Sequence, residues 1–145
     1  MINIALIGYG YWGPNLLRNF SSNPNCTVKV VADFKSERLD LAKKFLPGIT
    51  TTQQIDEVFS DSSVDAVVIA TPVFTHFGLA KKALDNDKHV LIEKPMTSTV
   101  EEASALIELA NKRNKLLMVD HTFLYTGAVQ KMKSMIASDE IGKVK

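Results

Sequence analysis

Three stretches of this 145-residue chain combine residue types and spacings that could do chemistry. The first is Gly8-Tyr9-Gly10-Tyr11-Trp12-Gly13, a complete G-x-G-x-x-G. At those offsets Gly8 permits a tight turn, Gly10 the close approach of a pyrophosphate, and Gly13 the packing of a helix on a strand. The unpaired N–H groups and the dipole at the start of that helix favour an anion. Tyr11 and Trp12 fall between the second and third glycines, on the loop beside the anion. Asp33 follows 20 residues beyond Gly13, where an acid can accept hydrogen bonds from adenine ribose hydroxyls. Its charge repels a 2′-phosphate, which favours NAD over NADP, while the nearby Lys35 and Arg38 moderate that preference.

The second stretch is Glu93-Lys94-Pro95, at the end of a short apolar run. A lysine there could move a proton or polarise a hydroxyl. The plainer alternative is a surface lysine paired to Glu93. The third is Asp120-His121-Thr122-Phe123, in which His121 is either a satisfied strand-end histidine or a substrate contact. His76, in Ala70-Thr71-Pro72-Val73-Phe74-Thr75-His76, suits a capping or packing role better than a catalytic one. The two histidines have no metal-ligand spacing with Cys26 or with an acid cluster, so no zinc site is expected.

The elements that must position these residues alternate along the chain. Short apolar runs at Ile2–Ile7, Val28–Ala32, Ala66–Ala70, Val90–Ile92 and Leu116–Val119 read as strands, with Ile49–Thr51 a possible short extra one. Amphipathic stretches near Leu16–Phe20, Glu37–Phe45, Phe77–Leu84 and Glu101–Lys112 read as helices. Strand–helix alternation implies parallel strands joined by crossover helices. The strands lack period-2 patterning, as expected when both sheet faces are covered. The expected fold class is therefore α/β, a doubly wound parallel sheet of the Rossmann NAD(P)-binding kind. Ligands bind such sheets at the strands' C-terminal edge, where all three stretches fall. Pro14 suits the first turn of a helix. Pro47-Gly48 ends the helix before it. Ser98 and Glu101 have capping-box spacing, and Thr75 is placed to cap the helix starting near His76.

Composition excludes several classes. The net charge of +1 offers no basic field for nucleic acid, and no run approaches the length of a membrane span. A hydrophobic content of 46% with 23% charged residues suits a globular domain with a real core. The apolar N-terminal run has no basic segment before it and stops at Gly8, so no signal peptide is expected. With a single cysteine, Cys26, the default location is the cytoplasm.

Gly-Tyr-Gly-Tyr-Trp-Gly-Pro-Asn, Ala-Thr-Pro-Val-Phe-Thr-His and His-Val-Leu-Ile-Glu-Lys-Pro together resemble the glucose–fructose oxidoreductase / inositol dehydrogenase / MocA-type family, across essentially the whole chain. The resemblance implies an N-terminal Rossmann domain joined to a C-terminal α+β domain. It also implies oxidation or reduction of sugar hydroxyls with NAD, or alternatively NADP. Lys94 then matches the family's motif lysine, close to the nicotinamide and the reacting hydroxyl, with Glu93 beside it. Thr71, Pro72 and His76 match the segment that lines the cofactor. Asp-His-Thr-Phe-Leu-Tyr resembles the branch acting on nucleotide-linked amino sugars or sugar acids, which makes His121 and Tyr125 the substrate candidates. Val73 replaces an asparagine common in the family; Thr126-Gly127 and Gln130 stand where the branch has Asn-Pro and arginine.

On this basis residues 1–121 are expected to form the dinucleotide-binding domain, and residues 122–145 a linker, a helix over Val129–Ala137 and the turn into a substrate domain's first strand. The chain is expected to be the cofactor part of a longer enzyme, inactive alone. Its partners are expected to be a sugar or nucleotide sugar and further copies of itself, without nucleic acid or membrane. The alternative is a dinucleotide-binding module or sensor without chemistry.

Overall fold

The computed structural model describes residues 1–143. Six strands make one parallel sheet: β1 (Ile2–Ile7), β2 (Cys26–Ala32), β3 (Thr50–Thr52), β4 (Ala66–Ile69), β5 (His89–Glu93) and β6 (Leu117–Asp120), in the order β3-β2-β1-β4-β5-β6. This is the strand order of a doubly wound dinucleotide-binding sheet, whose two halves meet between β1 and β4. The expected fold class holds, and the short strand after Pro47-Gly48 is present as β3.

The helices divide between the two faces. Along β1, Ile4 and Leu6 point to one face and pack with Leu16 and Leu17 of α1 (Gly13–Ser21) and with Leu39 and Ala42 of α2 (Ser36–Phe45). Ala5 and Ile7 point to the other. There they meet α3 (Ile55–Ser60), α4 (His76–Asp85) and α5 (Val100–Arg113) through Val58, Ala80, Leu84 and Leu106. Cover on both faces is why the strands carry no alternating pattern. At β5 and β6 the cover is one-sided. Val90, Ile92, Leu117 and Val119 face α4 and α5, whereas Leu91 and Met118, register partners on the opposite face, are half-buried and exposed.

Local signals behave as physical chemistry requires, with some displacement. Pro14 sits in the first turn of α1, and Gly48, at φ +92°, follows the end of α2. The capping box lies one residue later than the Ser98–Glu101 spacing suggests. The Glu102 N–H donates to Thr99 Oγ1 and the Ser98 N–H donates to Glu102 Oε2. Thr75 does not cap α4; it belongs to a 3-10 turn, Val73–Thr75, and its hydroxyl lies 2.7 Å from Thr71 Oγ1 and from Pro72 O. Helix α3 has no counterpart in the expected elements.

After β6, a 3-10 turn over Thr122–Tyr125 leads into α6 (Gly127–Ala137), which has no buried residue. Its Gln130 amide donates to Leu124 O, within this segment. The apolar side chains Met132 and Ile136 are exposed, so α6 does not pack onto the sheet domain. Of the expected turn after α6, Val144 and Lys145 lie outside the described residues.

Candidate cofactor cleft

A cleft of about 640 Å³ opens at the C-terminal ends of β1, β2, β4 and β5. Gly8, Gly10, Tyr11, Trp12, Asp33, Thr71, Pro72, Glu93 and Lys94 all line it, together with Phe34, Lys35, Arg38 and Phe74. Thus nine of the expected site residues surround one space, drawn from four strand ends that lie far apart in sequence.

The three glycines of the first loop differ in what surrounds them. Gly8 has φ +96°, and a Cβ there would lie 2.7 Å from Ala70 O. A Cβ on Gly13 would lie 2.5 Å from Gly8 O. At Gly10 no backbone is in reach; the nearest atom is Arg38 Nη1 at 3.5 Å. The backbone at Gly10 is therefore open to close approach from the cleft, and α1 starts behind it with the positive end of its dipole toward the loop, its Asn15 and Leu16 N–H groups donating to Trp12 O. These features fit a pyrophosphate. Tyr11 is almost fully exposed and Trp12 partly so, their rings stacked at 6.2 Å between centroids, while Tyr9 is buried behind the loop.

Asp33 is 4% exposed and its carboxylate is already well supplied with donors. The Tyr9 N–H donates to Oδ2 at 2.7 Å and the Lys35 N–H to Oδ1 at 2.9 Å. Arg38 Nη1 donates to Oδ2 at 3.3 Å. The acid thus ties the glycine loop to the loop after β2. An ionised carboxylate offers about four acceptor sites, so one on Oδ1 is left for a ribose hydroxyl. Because Arg38 meets its charge, the repulsion expected against a 2′-phosphate is partly offset.

At the other end of the cleft β5 delivers Glu93 and Lys94; the Lys94–Pro95 peptide is cis. Among the described residues the Lys94 ammonium makes no ion pair, so it is not tied to Glu93 as a surface pair would be. Glu93 instead accepts from the Lys94 backbone N–H through Oε2 at 3.2 Å. Its Oε1 is buried with no hydrogen-bond partner among the described residues. Burial, and then the neighbouring Asp120, push the Glu93 carboxyl above the usual range.

His76 does not line the cleft. It is buried, with Nε2 at 2.8 Å from Thr71 O and Nδ1 at 2.9 Å from Pro95 O. The ring bridges the backbones of two cleft loops, so it shapes the wall without reaching a ligand. His121 and Tyr125 are exposed beyond β6 and do not line the cleft. Sequence reasoning passed over four lining residues, Phe34, Ile55, Phe74 and Leu79, of which the two aromatics are exposed. Asp120 was noticed only as a loop residue, since its place beside Glu93 follows from strand register.

Comparison with known proteins agrees with this geometry. Residues 2–121 match the Gfo/Idh/MocA family of oxidoreductases with an NAD-binding Rossmann fold. The oxidoreductase YdgJ of Escherichia coli is 31% identical over 144 residues, 99% of this chain and 41% of its own length. A dTDP-3,4-didehydro-2,6-dideoxy-alpha-D-glucose 3-reductase of Streptomyces violaceoruber is 29% identical over 130 residues, 90% of this chain and 38% of its own. Among solved structures, an NAD-binding protein from Listeria innocua superposes with a TM-score of 0.90 at 32% identity, over 98% of this chain and 42% of that one. A substituted form of the 3-ketoreductase KijD10 from Actinomadura kijaniata, in complex with TDP-benzene and NADP, gives 0.88 at 25% identity over 99% and 46%. The chain spans about two fifths of the length of the relatives it matches.

Proposed function

From the premise that this chain belongs to the Gfo/Idh/MocA oxidoreductase family and is its NAD-binding Rossmann domain, we propose that it serves a dehydrogenase or ketoreductase acting on a hydroxyl or keto group of a sugar or nucleotide-linked sugar. The nucleotide-sugar reductase and the ketoreductase among its relatives support that substrate class. Residues 1–121 are the cofactor domain, and residues 122–145 lead toward the part that holds substrate.

One observation carries the catalytic half of this proposal: Lys94 stands on the wall of the cleft that the glycine loop opens, with an ammonium unpaired among the described residues. When bound, the dinucleotide supplies the hydride acceptor or donor. The glycine loop and the start of α1 hold its pyrophosphate, and Asp33 and Arg38 lie at the adenosine end. In its neutral amine form Lys94 takes the proton from the substrate hydroxyl during oxidation, and as the resulting ammonium it gives a proton to the carbonyl oxygen during reduction. His76 holds the loops of Thr71 and Pro95 at a fixed separation, so that the lysine keeps its place. Hydride transfer needs reacting atoms about 3–3.5 Å apart, so a second wall must press the substrate onto the nicotinamide. The exposed side chains of Met118, Phe123 and Met132 lie on the segments available to meet such a wall.

Two measurements test this. Calorimetric titration of the chain gives NAD affinity, with NADP weaker by a modest factor because Arg38 offsets Asp33. NADP binding tighter than NAD overturns the role of Asp33. In a protein that joins this domain to a substrate-binding part, Lys94→Ala cuts kcat by about a hundredfold or more and leaves NAD affinity within a few-fold. Full turnover after that substitution overturns the role of Lys94.

A further inference from the structure

Glu93 and Asp120 occupy matched register positions at the C-terminal ends of the neighbouring parallel strands β5 and β6. Neighbouring strands run about 4.8 Å apart, and side chains at matched positions leave the same face. Both carboxyls therefore stand side by side on the face that Leu91 and Met118 share, away from α4 and α5. Both residues are partly buried. Glu93 Oε2 is engaged by the Lys94 N–H, but Oε1 is buried and no donor among the described residues reaches it. Two ionised carboxylates at this spacing repel, and a buried carboxylate oxygen without a donor is costly. One proton resolves both problems, since a protonated carboxyl donates to its neighbour. The charged groups that act on Glu93 are Asp120 from β6 and Lys94 following β5.

We infer that Glu93 and Asp120 form a carboxyl pair that holds one proton between them and fixes, through Glu93, the backbone from which Lys94 enters the cleft. Asp120 is thus a positioning residue, acting on Lys94 by way of Glu93. Losing the shared proton places two negative charges beside the lysine, which draws the ammonium back from the cleft toward β6. The pair keeps Lys94 forward while it is singly protonated and withdraws it once both groups ionise. This inference rests on the proton-transfer role proposed for Lys94, but the pair itself can be observed without any turnover.

The test is a carbon-13 NMR pH titration of side-chain carboxyls in the 145-residue chain, with no cofactor added. In the wild type the Glu93 carboxyl carbon shows two inflections, because it senses both steps of a coupled pair. In Asp120→Asn the Glu93 signal titrates in a single step, moved down from the upper wild-type inflection. In Lys94→Met both inflections of the wild type persist, so failure of the proposed role of Lys94 leaves this result standing. A single Glu93 inflection in the wild type overturns the pair, and does so even if Asp120→Asn fails to fold. In the protein joined to its substrate-binding part, Asp120→Asn shifts the pH profile of kcat while leaving NAD affinity unchanged. An unshifted profile overturns the link from the pair to Lys94.

Discussion

Gly8, Gly10 and Gly13 share a motif but not a reason for being glycine, and substitutions separate the reasons. Gly8→Ala forces a left-handed backbone onto a side chain that also meets Ala70 O, and Gly13→Ala drives a methyl into Gly8 O. Each variant loses about 1–3 kcal/mol of stability in urea denaturation. Gly10→Ala meets only the side chain of Arg38, so it unfolds at nearly the wild-type midpoint yet binds NAD at least tenfold more weakly in calorimetry. A second expectation concerns pH. The folded state raises the Glu93 carboxyl above its ordinary range, chiefly by burial and then through Asp120, so folding binds a proton there. That contribution is fully present in acid below the ordinary glutamate range and is lost as pH rises through the raised value. Glu93→Gln removes the dependence, so its melting temperature relative to wild type climbs from mildly acidic to neutral pH. Asp61 and Asp85 act with the opposite sign. Hydrogen bonds from Ser63 and from Lys81 lower them, so their contribution is present above the ordinary aspartate range and fades as pH falls. Much of the cleft was legible at this scale, because glycine offsets and a strand-end acid are local patterns. The donors that saturate Asp33 were not, since Tyr9 reaches it across 24 positions of chain. Nor was the burial of His76 between two carbonyls, which depends on how two loops pack.

Elements are held at their joints as well as through their cores. The turn between α3 and β4 has a buried cation: Lys88 Nζ donates to Asp61 O at 2.7 Å and to Val64 O at 2.8 Å. Lys88→Met keeps the stem and removes both donated bonds; Asp61 O keeps the Val64 N–H, but Val64 O loses its side-chain donor, which costs about 1–3 kcal/mol in thermal or urea denaturation. A midpoint unchanged from wild type removes that role from Lys88. Long elements announced themselves in the sequence through apolar runs and capping signals. Helix α3 did not, because its six residues make fewer than two turns and leave too little length for a period to register. The capping box was displaced by one position because Ser98 and Thr99 both precede an acid at the right spacing. Geometry selected Thr99, whose extended backbone fits the N-cap position. The pairing of Glu93 with Asp120 was hidden for a related reason: register is a property of two strands, and neither strand carries it alone.

On the scale of the whole molecule, stability is concentrated where the two halves of the sheet meet. β1 and β4 are buried on both faces, whereas α6 buries nothing. Hydrogen exchange should therefore show amides of β1 and β4 opening only with global unfolding and those of α6 exchanging fastest among the helices. Protection of α6 equal to that of α1 would mean that the helix has found a covering surface in solution. The centre of the sheet carries a further consequence. Asn3 and Asp65, 62 positions apart, are hydrogen-bonded at 2.8 Å, because β4 returns to lie against β1. The glycine loop proposed to hold the pyrophosphate lies on one side of this joint in the chain and Lys94 on the other. Cut between Ser60 and Ala66, the protein would yield two peptides, each holding half of a binding site and neither able to retain the dinucleotide. The dinucleotide would bind only to their reassembled pair, so its concentration would set how much of that pair forms: a coenzyme acting as the fastener of a split protein.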